Sequence, residues 1–133
     1  MKNIFFYLGL GALSTHELDA MTNHEWRVLP LLRLLPDEMG MNVFVRAHVP
    51  LFAILIALVA SSNVCTDAMA KLLISGFLVV HGFLHAIFMS HPNDEFTSVL
   101  SNTPIFGGAV FGGIYVIVDL LSKSSSEHDV MDR

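Results

Sequence analysis

Charge is the first thing this chain lacks. Asp, Glu, Lys and Arg make up 14% of its 133 residues, where soluble domains carry about 25%. So few charged side chains argue against a surface solvated by water, and a mean hydropathy of +0.62 argues for lipid. Positive charge is scarcer still. Seven Lys and Arg stand against twelve Asp and Glu, for a net charge of −5, which leaves no broad basic surface for nucleic acid. A single cysteine, Cys65, rules out an internal disulfide and leaves the redox compartment unread. No alternation of polar and apolar residues suggests barrel strands, and no repeat is visible. The length allows one domain.

What the chain does have is four apolar segments, over residues 4–23, 42–61, 69–90 and 104–121. Each is close to the ~20 residues that carry a helix across ~30 Å of hydrocarbon, although the first is continuously apolar only over 4–13. In lipid a helix satisfies its own backbone groups within one segment. The expectation is therefore an all-α, four-transmembrane-helix up-down bundle over residues 1–122, followed by a disordered polar tail over 123–133. The longest connection, 24–41, holds Trp26, Pro30, Arg33 and a leucine-rich stretch at 29–35. That stretch is too short to span and is expected along the membrane interface, anchored by Trp26. Pro36-Asp37 suits the start of the second helix, and His91-Pro92-Asn93-Asp94 breaks the chain before the fourth. A competing reading takes Lys2, the first apolar run and Ala12-Leu13-Ser14 as a short signal peptide, leaving three spans. Gly108 and Gly112, with Ala109 and Gly113 one step round, form small-xxx-small pairs suited to close packing inside the bundle or to a dimer seam. With four spans, Lys2, Lys71, Lys123 and Arg133 share one side, and Arg27, Arg33 and Arg46 the other. That bias places both termini in the cytoplasm.

Seven histidines are an excess in so apolar a chain. The first helix carries His16, Glu17 and Asp19, with His24 and Glu25 just beyond it; the second carries Arg46 and His48; the third carries His81 and His85. In an up-down bundle His16, His48, His81 and His85 fall within about 15 Å of one membrane face, at ~1.5 Å per residue. His81 and His85, four apart, share one side of their helix, as do His16 and Asp19, three apart. Ionisable groups inside spanning segments are costly and mark functional sites. Neutral imidazoles with a carboxylate suit zinc or iron, and bundle cores assemble such sets. The expected metal residues are thus His16, His48, His81 and His85, with Asp19 as a fifth ligand or an orienting partner and Glu17 as general acid or base. His24 and His91, at element ends, read as ordinary hydrogen-bonding histidines. His16-Glu17-Leu18-Asp19-Ala20 is not a zinc-protease HExxH, because Ala20 stands where the second histidine must be.

The strings THELDAMTNHEWRVLP, AHVPLF and LVVHGFLHAIF resemble those of a family of small, uncharacterised bacterial four-helix membrane proteins, over about residues 4–115. The resemblance implies the fold and a bacterial inner-membrane location, without supplying a reaction. Membrane di-iron hydroxylases and desaturases are similar in chemistry only, since no HxxHH occurs here. Three functions stay open. The first is a membrane metalloprotein, as an enzyme or otherwise, in which zinc or iron activates water or oxygen for a hydrophobic substrate. The second is a haem-binding electron carrier with bis-histidine ligation. The third is a non-catalytic subunit of a larger membrane complex or a homo-oligomer.

Overall fold

A computed structural model describes residues 2–131, with side chains through Ser124. It is helical throughout, with no strand among the described residues. Helix α1 spans Lys2–Thr22. Asn23 closes it, the side-chain amide donating to the Asp19 carbonyl at 2.9 Å. His24 then takes φ 49° and ψ 44°, a left-handed conformation that costs a non-glycine residue about 1–2 kcal/mol. Two single 3-10 turns follow, Glu25–Arg27 and Leu32–Leu34. Helix α2 spans Asp37–Val59, beginning directly after an extended Pro36, as the Pro36-Asp37 pair implied. Helix α3 spans Val64–Phe88. Asn63 caps it, its side-chain oxygen accepting from the Cys65 and Thr66 amides at 3.0 and 3.1 Å. Helix α4 spans Val99–Met131, opened by Ser98, whose Oγ accepts from the Ser101 amide at 2.9 Å. Helices α2, α3 and α4 thus start five residues ahead of the apolar runs, because polar first turns and caps precede the lipid-like stretch. Helix α4 also continues through the segment expected as a tail as far as Met131. Arg133, counted above among the flanking charges, lies outside the described residues.

Three helical stretches are long and apolar enough to cross a membrane: Asp37–Val59, Val64–Phe88 and Val99–Ser124. The expectation of four spans is met only in part, because α1 is not among them. Its second half carries Ser14, Thr15, His16, Glu17, Asp19 and Thr22 within nine residues.

Helix α4 is the hub, packing along both α1 and α3, while α2 touches α3 and the 3-10 turns. The contacts give the directions. Lys2 reaches Asp119, and an added Cβ at Gly9 would lie 3.6 Å from Phe111 and one at Gly108 3.5 Å from Ala12. Helix α1 therefore runs antiparallel to α4. A Cβ at Gly82 would come within 2.7 Å of Ala109, and one at Gly112 within 2.5 Å of the Ser75 carbonyl oxygen, so α3 is antiparallel to α4 as well and parallel to α1. The small residues of α4 serve packing inside the molecule, where missing side chains let backbones approach.

Two apolar clusters fill the interior. Phe6, Ile74 and Tyr115 pack at the Lys2 end, and Ala20, Trp26, Phe44, Phe96 and Ile105 at the histidine end. Trp26 differs from expectation. It is a core residue, 3% exposed, with its indole Nε1 donating to Asp37 Oδ1 at 2.9 Å. Leu31 and Leu34 of the leucine-rich stretch do face outward, at 80% and 76% exposure.

Candidate metal centre

Parallel α1 and α3 bring His16 against His81 and His85. The ring centroids lie 4.8 Å from His16 to each of the others and 4.6 Å between His81 and His85. The fourth member is Glu25. The left-handed turn at His24 reverses the chain after α1 and aims Glu25 back into the interior, where it is 7% exposed. Its carboxylate divides between two rings, with Oε2 3.5 Å from His16 Nε2 and Oε1 3.5 Å from His85 Nε2. Phe96 closes one side, 5.4 Å from the His16 ring and 4.9 Å from His85.

One donor atom from each of His16, Glu25, His81 and His85 can be chosen so that all lie within 4.8 Å of one another. Donors about 2.0–2.2 Å from a zinc ion stand no more than about 4.4 Å apart, so small side-chain rotations would close the set. Both nitrogens of His16 and Nε2 of His81 are buried with no hydrogen-bond partner. A buried polar atom without a partner costs about 1–3 kcal/mol, and one coordinated ion would relieve that cost at one nitrogen of His16 and at Nε2 of His81. The donor chemistry and the unmet atoms therefore both fit a transition-metal ion. Burial pushes the Glu25 carboxyl up, but the adjacent His16 and His85 imidazoles hold it down to about 2. The group is thus anionic at neutral pH and able to offset a cation.

The other expected residues lie elsewhere. His48 stands on α2 with both nitrogens engaged: Nδ1 donates to the Phe44 carbonyl at 2.6 Å, and Nε2 is 2.7 Å from Glu17 Oε2. Glu17, expected as acid or base, is thus the partner of His48. Asp19 is not one of the four grouped residues, and its Oδ2 is buried without a partner. Of the five expected ligands, the structure brings together His16, His81 and His85. His24 and His91 bond outside the cluster, His24 Nδ1 to Glu95 Oε2 at 2.8 Å and His91 Nδ1 from the Asn93 amide at 3.2 Å. Glu25 escaped sequence reasoning because it lies outside α1, and a helical projection says nothing about a residue beyond a chain reversal. The one available signal was its place beside His24, at the point where the helical pattern stops.

No curated protein and no solved structure matches the chain. A family model does match, over residues 2–122. This range contains every residue of the cluster, and it shows that the chain belongs to the family of unknown function DUF6713.

Proposed function

We propose that this chain is an integral membrane protein that holds one divalent transition-metal ion, zinc or iron, through His16, Glu25, His81 and His85. The observation that carries this reading is the convergence of three imidazoles and an ionised carboxylate from three chain segments, with buried ring nitrogens left unbonded. Imidazole rings within 4.6–4.8 Å of each other favour a compact ion over a haem, since no macrocycle fits between them.

The reading places α2, α3 and α4 across the bilayer. Helix α1 inserts beside them, its apolar half on α4 and its polar half near one membrane face. Leu31 and Leu34 rest at that interface, and both termini lie in the cytoplasm. A bound ion would supply Lewis acidity. The chain's own residues set how that could be used. Four protein donors fill a tetrahedral zinc and make the site structural, whereas a six-coordinate iron keeps two positions for a reactant. The identity of the metal therefore decides between a stabilising centre and an enzyme.

Elemental analysis of protein purified in mild detergent, with thermal unfolding before and after a strong chelator, tests the proposal. About one equivalent of metal per chain and a midpoint lowered by chelation are expected, since an ion that binds only the folded state stabilises it. Metal-free protein whose midpoint ignores the chelator overturns the reading.

A further inference from the structure

Helices α1 and α2 diverge, and two grooves open between them. One, of about 370 Å³, is lined by Glu17, Met21, Phe44, His48, Phe52 and Ser14. The other, also about 370 Å³, is lined by Tyr7, Leu10, Leu55, Val59, and again Ser14 and Phe52. The shared residues make them one trough. From Tyr7 to Met21 it follows α1 for about 21 Å, at ~1.5 Å per residue. Both arms are mainly apolar, with the Glu17–His48 pair at one end, Ser14 at the junction and Tyr7 in the other arm.

The charge of that pair follows from geometry. The Phe44 carbonyl can only accept, so His48 Nδ1 carries a proton. Nε2 and Glu17 Oε2, 2.7 Å apart, then need one proton between them, because two lone pairs would repel at that distance. Wherever that proton sits, the pair is neutral overall. No Lys or Arg lines either groove, so an anionic headgroup finds no counter-charge. With both His48 nitrogens committed, the carboxyl of Glu17 and the Ser14 hydroxyl oxygen are left to receive a donor.

We infer that this trough is a binding site for a neutral, single-chain amphiphile with a hydroxyl head, such as a long-chain alcohol. The chain lies along Leu10, Phe52 and Leu55, and the hydroxyl donates to Glu17. The site goes beyond the metal centre and does not depend on it. His16 and Glu17 leave α1 about 100° apart, the first into the α3 side and the second into this trough.

The test uses the full chain in phosphatidylcholine vesicles with hexadecanol bearing a mid-chain photoreactive diazirine, its methyl ether, and the matching palmitate. Labelled residues are mapped by mass spectrometry. Hexadecanol should label Leu10, Phe52 and Leu55 well above Ile117, an exposed residue of α4. The methyl ether, which cannot donate, should label them about 3–10-fold less, the worth of one hydrogen bond. Ser14→Phe, which fills the junction of the grooves, should remove the labels. Glu17→Leu should erase the difference between alcohol and ether even if Ser14→Phe fails to fold. His81→Ala, aimed at the metal, should leave labelling intact. Equal labelling of Leu10 and Ile117 by alcohol and ether overturns the site in favour of general lipid contact. Preference for palmitate overturns the head chemistry, and loss of labelling in His81→Ala overturns its separateness from the metal centre.

Discussion

His16 and Glu17 are neighbours in the chain with opposite situations. His16 is 1% exposed among two histidines and a glutamate, and neither of its ring nitrogens has a hydrogen bond. Glu17 lines an open groove and is matched to a single histidine at 2.7 Å. The α3 side of α1 is closely packed and chemically unfinished, whereas the α2 side is loosely packed and internally satisfied. An unfinished buried cluster wants a ligand of its own, and a finished pair beside a groove can only assist something that docks. The difference comes from packing. Small residues of α4 draw α1 and α3 together, while nothing equivalent draws α2 onto α1.

The largest test of this contrast is metal content. His81→Ala and His85→Ala should each strip the ion, with affinity falling by about 10–100-fold or more. The double variant should be little worse, because groups acting through one centre are not additive. Elemental analysis at equal protein concentration reads the outcome. His48→Ala should keep its metal, and loss there would merge the two sites into one.

Packing gives the next largest effect. Gly112→Ala puts a Cβ within 2.5 Å of a backbone oxygen and should cost about 1–3 kcal/mol, the usual scale of overpacking. Gly107→Ala, on the same helix with nothing within 4 Å, should instead stabilise by roughly 0.5–1 kcal/mol through helix propensity. Opposite signs in thermal or denaturant unfolding confirm that one face of α4 is the tight one, and equal signs would break the contrast.

Of similar size is His48→Ala as a stability change. It leaves Glu17 part-buried without its partner, and unfolding should show a loss of about 1–3 kcal/mol with no change in metal content. The smallest effect belongs to the polar turns over the histidine end. There Arg27 bonds Asp37 and Glu95 while His24 bonds Glu95. Glu95→Gln, in a half-open ion pair, should shift stability by no more than about 1 kcal/mol, and less at high salt. A larger shift would mean that this cap holds Glu25 in place.

Asp19→Asn is the probe on which sequence and structure disagree. The helical projection sets Asp19 beside His16, so the change should cost metal. The fold uses Glu25 as the carboxylate, so the ion should stay. Glu25→Gln is the matching experiment and should release it.

The sequence by itself determined the helical fold, the three apolar helices, and the three histidines of α1 and α3 that meet. These follow from local rules: apolar runs of spanning length, polar caps, and two histidines one turn apart on one face. Tertiary structure alone decided the remainder. Helix α1, half polar, is placed by its packing on α4. Trp26 is a core residue because the 3-10 turn folds it inward against Phe44 and opposite Asp37. His48 pairs with Glu17 because α2 packs on α3 and stands off α1 across the grooves. Glu25 enters the cluster because a single non-glycine residue, His24, turns left-handed. Such a conformation is locally unfavourable and is held only by the contacts that surround it, so no local pattern announces it.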